Sequence, residues 1–103
     1  MDRKWGSFLQ FTENEKSTVK LVFLKKGGST SLQYHQNRSE QWFVIRGRIL
    51  AVKGLESKIM IPGESIIMPP MTNHRLEGID ESLVLEVSRG EFSETDIVRL
   101  DVK

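Results

Sequence analysis

Apolar and polar residues alternate along this chain in short bursts, each too brief for a helix. The strand-like runs are STVKLVFLK (17–25), STSLQYH (29–35), EQWFVIR (40–46), RILAVK (48–53), SKIMI (57–61), ESIIM (64–68), NHRLE (73–77) and SLVLEVS (82–88). Turn signals separate them: Lys26-Gly27-Gly28, Gln36-Asn37-Arg38-Ser39, Gly47, Lys53-Gly54, Pro62-Gly63, Pro69-Pro70 and Gly78-Ile79-Asp80. Many short strands at close spacing predict an all-β fold, an antiparallel sandwich or barrel. No segment keeps a long 3.6-residue apolar period. Residues 93–99 are expected to form one terminal helical turn, with Ser93 as N-cap and Asp96 the third helical residue. No linker, low-complexity tract or repeat divides residues 1–103, which therefore read as one domain.

Within 40–46, Glu40, Trp42, Val44 and Arg46 share one face and Gln41, Phe43 and Ile45 the other. Both faces are partly apolar, as in a strand with one side in a barrel and the other against a second sheet or subunit. A homodimer is the partner expectation that follows. Gly47 is expected to turn the chain with a positive φ.

Composition narrows the class. A chain of 103 residues with 38% hydrophobic and 28% charged residues suits one soluble globular core. Fifteen Lys and Arg against fourteen Asp and Glu give a net charge of +1, which argues against nucleic acid or an anionic membrane as the main partner. With no cysteine, disulfide and thiolate chemistry are excluded. MDRKWGSFLQF lacks the apolar core of a signal peptide, and no apolar run approaches the ~20 residues of a membrane span. A cytoplasmic protein is the expectation.

The candidate chemistry is concentrated. Gln33 and His35 are two apart, so in a strand they point to the same side. Glu40 follows, and His74 is the only other histidine. Two imidazole nitrogens, a carboxylate and an amide oxygen converging on one point would hold a divalent metal, with zinc, manganese, cobalt, iron and nickel all compatible. Lone histidines are more often ordinary core or surface residues, and Gln33 has the alternative of bonding the sheet backbone.

The spacing carries a family resemblance. Gly27, five residues, Gln33, one residue, His35, four residues, Glu40, six residues and Gly47 resemble the first cupin motif. Gly63, five residues, Pro69, Met71, two residues and His74 resemble the second, with Met71 in place of the usual glycine and Gly78 in place of the usual asparagine. Trp5-Gly6-Ser7-Phe8, SLQYHQNRSEQW (31–42), PPMTNHRLE (69–77) and EVSRGEFSETDIVR (86–99) are similar to blocks of the cupin domain of type II mannose-6-phosphate isomerases. That domain is commonly the C-terminal half of a bifunctional enzyme with a guanylyltransferase; here it is expected to be free-standing. Asn37 and Gln41 stand where the family usually has histidine, and Ser29 where a basic residue is common.

The resemblance implies a cupin fold, that is, a double-stranded β-helix or jelly-roll barrel. It implies a metal on Gln33, His35, Glu40 and His74, with zinc favoured, and a sugar-phosphate substrate. Lys20, Arg38 and Arg75 match basic family positions suited to phosphate oxygens. Arg75 directly follows His74, so in a regular strand it points away from the metal; a bulge would relieve the conflict. Glu86 matches a family glutamate and is a candidate proton shuttle, with Arg75 the second catalytic candidate. The implied activity is interconversion of mannose 6-phosphate and fructose 6-phosphate. The alternatives are a non-enzymatic metal-cupin that binds a sugar phosphate or small acid, and another metal-cupin activity such as an oxygenase.

Overall fold

A computed structural model of the chain describes residues 2–3, 6–7, 16–90 and 95–100. Among the described residues every regular element is a strand and none is a helix. Two short strands, β1 (Asp2–Arg3) and β2 (Gly6–Ser7), pair with each other. The remaining strands are β3 (Ser17–Leu24), β4 (Gln33–Tyr34), β5 (Arg38–Arg46), β6 (Ile49–Lys53), β7 (Glu56–Met60), β8 (Ser65–Met68), β9 (His74–Gly78), β10 (Ser82–Gly90) and β11 (Val98–Arg99).

These form two antiparallel sheets, ordered β3-β10-β5-β8 and β11-β4-β9-β6-β7. Apart from the β6–β7 hairpin, the successive strands from β3 to β11 fall in opposite sheets, as in a jelly-roll barrel, so the expected cupin architecture is the one observed. Period-two alternation decides which side chains enter. In β5, Arg38, Glu40, Trp42 and Val44 are buried and the residues between them are not. In β9 the buried positions are His74, Leu76 and Gly78.

Trp42, Val44, Ile49, Ala51, Met60, Met68, Leu76 and Val84 form the core, closed at one side by Leu24. Each large apolar side chain here contributes roughly 1.5–3 kcal/mol by leaving water. Arg46 does not share the inner face of Glu40, Trp42 and Val44, contrary to the alternation read from sequence. A bulge sets Leu83 opposite Arg46 and Val84 opposite Val44, so Ile45 and Arg46 both lie exposed.

Two other expectations need correction. Of residues 29–35 only β4 forms a strand, because Thr30 Oγ1 accepts from Leu76 N while Thr30 N donates to Leu76 O. The threonine side chain thereby takes a ladder hydrogen bond from the main chain. The helical turn over 93–99 is not seen where the chain is described: Val98–Arg99 is a strand paired with Gln33–Tyr34. Its proposed cap, Ser93, lies outside the described residues, as does Trp5.

Two turn positions adopt a left-handed backbone for different reasons. Gly47 has φ 79°, as expected, and any β-carbon there would collide with the Glu81 carbonyl and the Ser82 hydroxyl. Met71 has φ 64° and is the only described non-glycine residue in that region. It holds the left-handed conformation that the usual glycine would adopt freely.

Candidate metal centre and cavity

One row of side chains crosses the five-stranded sheet. Arg99 pairs with Gln33 across β11 and β4, and Gln33 pairs with His74 across β4 and β9. Directly paired residues share a sheet face, so this row meets the inner face of the opposite sheet. There β5 presents Glu40, paired with Ser88 of β10, and β10 presents Glu86, paired with Lys20 of β3.

His35, Glu40 and His74 converge: one potential ligand atom from each lies within 4.8 Å of the others, and all three residues are buried. His35 Nε2 is 3.4 Å from Glu40 Oε2, and His74 Nε2 is 3.4 Å from Glu40 Oε1. The imidazoles are fixed from behind by main-chain carbonyls. His35 Nδ1 donates to Asp96 O at 2.7 Å, and His74 Nδ1 donates to Thr72 O at 3.0 Å. A carbonyl only accepts, so each Nδ1 carries the hydrogen and each Nε2 faces Glu40. Trp42 meets His74 edge-on, with centroids 5.4 Å apart, and holds that ring from the core side.

Three buried polar atoms near this cluster have no hydrogen-bond partner among the described residues: His74 Nε2, Trp42 Nε1 and the hydroxyl of Ser88, which stands opposite Glu40. Buried polar atoms are ordinarily satisfied. An imidazole nitrogen with no partner, aimed at a carboxylate, suits a cation between them. The 3.4 Å separations are also about those of two ligands ~2.0–2.1 Å from one tetrahedral ion. The donor set therefore fits a divalent metal.

Gln33 lines the same cavity, and its Oε1 accepts a hydrogen bond from Ser31 Oγ at 3.0 Å. The second lone pair of that oxygen remains for other use.

The cavity over this cluster has a volume of about 770 Å³. Lys20, Gln33, Arg38, Glu40 and Glu86, all singled out in the sequence, line it. Arg75 does not line it: it is half-buried between His74 and Leu76, which point inward, and it pairs with Val52. No bulge intervenes in β9, so the structure sets Arg75 apart from the other candidates.

Electrostatics separate the two carboxylates. Burial pushes Glu86 up, and the neighbouring Glu40 adds to the rise. Burial works the same way on Glu40, but His74, His35 and Arg38 overcome it, and the net direction is downward. Burial also lowers His35, despite the opposing Asp96 carbonyl and Glu40. The surroundings thus favour the charged form of Glu40 and disfavour that of Glu86.

A family model described as the C-terminal domain of mannose-6-phosphate isomerase matches residues 1–102. The chain belongs to this mannose-6-phosphate isomerase C-terminal family. It is 36% identical over 100 residues to "Mannose-1-phosphate guanylyltransferase 2" of Escherichia coli O157:H7, covering 94% of this chain and 21% of that protein. It is 31% identical over 102 residues to the xanthan biosynthesis protein XanB of Xanthomonas campestris, covering 96% of this chain and 22% of that one. The chain thus spans about a fifth of the length of these relatives. Solved structures share the fold. An RmlC-like cupin from Shewanella frigidimarina aligns with a TM-score of 0.70 at 15% identity, over 80% of this chain and 73% of that one. A Klebsiella pneumoniae protein with a double-stranded β-helix domain aligns at 0.72 and 17%, over 89% and 81%.

Within this isomerase C-terminal family, the departures noted in the sequence now have places. Gln41 faces outward and accepts a hydrogen bond from Arg89 Nη1 at 2.9 Å, and Asn37 is exposed. Neither lines the large cavity, whereas Ser29 does. Three contributors escaped the sequence reading: Ile97 and Arg99, which line the cavity, and Asp96. The Asp96 carboxylate accepts from the backbone N–H groups of Gln36 and Asn37, at 2.8 and 2.9 Å, and these bonds hold it well ionised. Alternation of Ile97 and Arg99 was the one available signal, and it was masked by reading 93–99 as helical.

Proposed function

We propose that this domain interconverts mannose 6-phosphate and fructose 6-phosphate. The observation that carries the reading is the placement of Glu86, a carboxyl whose proton affinity is raised by burial, on the wall of the cavity that Glu40 of the His35–Glu40–His74 cluster also lines. Family membership supports it.

The reaction moves one proton between C2 and C1 of the open-chain sugar. Glu86 takes the proton from the carbon next to the carbonyl, the electron pair passes into an enediolate, and Glu86 returns the proton to the adjacent carbon. Its raised affinity for a proton brings it nearer to the working pH than an ordinary carboxylate. Lys20, its cross-strand partner, and Arg99, across from Gln33, supply cations for the phosphate and orient the sugar. His35, Glu40, His74 and Gln33 would hold a divalent metal, with zinc the best match to two imidazoles and a carboxylate; bound there, it would polarise the sugar oxygens.

The outer face of the four-stranded sheet supports a homodimer. Val19, Leu21 and Phe23 of β3, Ile45 of β5 and Ile67 of β8 are all exposed on it. Exposed apolar side chains on one sheet face suit an interaction surface, and light scattering at two concentrations tests for the second copy. Among the described residues no helix is long and apolar enough to cross a membrane. The absence of cysteine agrees with the cytoplasm as the compartment for this reading.

The deciding experiment is a coupled assay with mannose 6-phosphate in the presence of Zn²⁺, Co²⁺ or Mn²⁺. Turnover that is lost on chelation is the expected result. No turnover with any metal, together with measurable sugar-phosphate binding, would replace the isomerase by a binding module.

A further inference from the structure

Arg38 is a buried cation inserted among the candidate metal ligands, with 8% of its surface exposed. Its Nη2 lies 3.3 Å from His35 Nε2, and its Nε donates to Glu40 Oε2 at 3.3 Å. A guanidinium has donors only. Its contact with His35 is therefore a hydrogen bond in which Nε2 accepts, and His35 Nδ1 is already the donor to Asp96. A neutral imidazole has a single ring lone pair outside the π system. That lone pair is the one a metal would need.

The same guanidinium engages Oε2 of Glu40, the oxygen 3.4 Å from His35 Nε2. Two contacts of Arg38 thus coincide with two positions that a metal on His35 and Glu40 would use. Arg38 is also on the cavity wall, with Lys20 and Arg99. A guanidinium displaced from the cluster has open space on that side, among groups that suit a phosphate monoester.

We propose that Arg38 competes with the divalent metal for His35 and Glu40, and that metal binding turns its guanidinium into the cavity, where it binds the phosphate of the substrate. The inference rests on the metal-centre reading above and adds a coupling to it. A metal that frees an anion-binding group raises affinity for the anion, and by reciprocity the anion raises affinity for the metal. The domain would then bind a phosphate monoester well only after it has loaded its ion.

The test uses the full chain, stripped of metal and then titrated with Zn²⁺. In the wild type, the Arg38 ¹⁵Nε–H resonance, assigned by through-bond correlation to the Arg38 backbone, is expected to be protected from solvent exchange without Zn²⁺ and to shift and exchange freely with it. In a chelator competition, Arg38→Met is expected to bind Zn²⁺ roughly tenfold or more tightly than wild type, the factor set by a charged hydrogen bond. Zn²⁺ is expected to enhance inorganic phosphate binding more in wild type than in Arg38→Met. That difference separates Arg38 from direct phosphate contact with the ion, which both proteins share.

An Arg38 resonance unmoved by a bound Zn²⁺ overturns the proposal and leaves the metal centre standing. The wild-type spectrum decides this even if the variants do not fold. Failure of both wild type and Arg38→Met to bind Zn²⁺ overturns the metal centre and the proposal together.

Discussion

The two ends of the barrel are built from the same strands and solve opposite problems. In β9, His74 and Leu76 are two residues apart, on one face and equally buried. Leu76 joins Val44, Ile49 and Val84 in an end that is satisfied by contact alone. His74 joins His35, Glu40 and Arg38 in an end where burial separates charges from water. There the polar groups must be satisfied by one another or by something they bind. One end is held by apolar contact, and the other carries the cost of burying charged and polar groups.

Substitution along that one strand breaks the comparison most sharply. His74→Ala should abolish Zn²⁺ binding in a chelator competition while the chain remains folded. Leu76→Ala should cost about 2–5 kcal/mol in urea unfolding, from lost burial and a cavity, while metal affinity in the folded protein is kept. Equal effects of the two on both measurements would mean that the ends are not separable.

Glu86→Gln sharpens the same contrast inside the polar end. Isomerase kcat should fall by about 10²–10⁴, the usual share of a general base, with metal content unchanged. Since burial and Glu40 both disfavour its charge, the variant should also unfold at higher urea concentration than wild type at neutral pH. Loss of activity without a gain in stability would assign Glu86 a structural pairing with Lys20 instead.

Asp96 is the next step down. Asp96→Ala removes both backbone anchors beside His35 and should weaken Zn²⁺ binding by about 10–100-fold, as expected when a group that orients a metal ligand is lost. Unfolding midpoints should move much less than for Leu76→Ala.

Mild acidity probes the polar end through His35. His35 is held below the ordinary imidazole value, so the unfolded chain takes up a proton there before the folded chain does. Stability of the metal-stripped protein should therefore hold above that ordinary value and decline as pH falls below it, towards the folded pKa. Urea midpoints across that range measure the slope, and His35→Gln should flatten it.

The smallest effect is expected at Met71, whose left-handed backbone costs about 1–2 kcal/mol and is partly offset in a glycine by greater chain entropy. Met71→Gly should raise stability by roughly 1 kcal/mol or less. Denaturant titration measures it, and any loss of stability would show that the Met71 side chain makes compensating contacts.

Where the sequence was readable, the reason was local periodicity. Alternation placed Gln33 and His35 on one side, set Gln41 on the face opposite Glu40 and Trp42, and turned Arg75 away from His74. It could not see the bulge that exposes Arg46, because that depends on the partner strand. It also could not see Asp96 or Arg99. Their partners, His35 and Gln33, lie more than sixty residues earlier, and ETDIVR alone carries only a weak local capping signal. Asp96 does cap main-chain N–H groups, but those of a distant loop. The candidate ligands were thus legible, and the segment that orients one of them was not.

The bond from His35 to the carbonyl of Asp96, 61 residues further along, also sets an order of events. A chain emerging from a ribosome N-terminus first presents His35, Glu40 and His74 before the segment that orients His35 has been made. These side chains can meet an ion early, but His35 cannot be held in its final tautomer until residues 95–100 dock beside β4. Final ordering of the cluster would be among the last steps of folding, because it waits for residues 95–100.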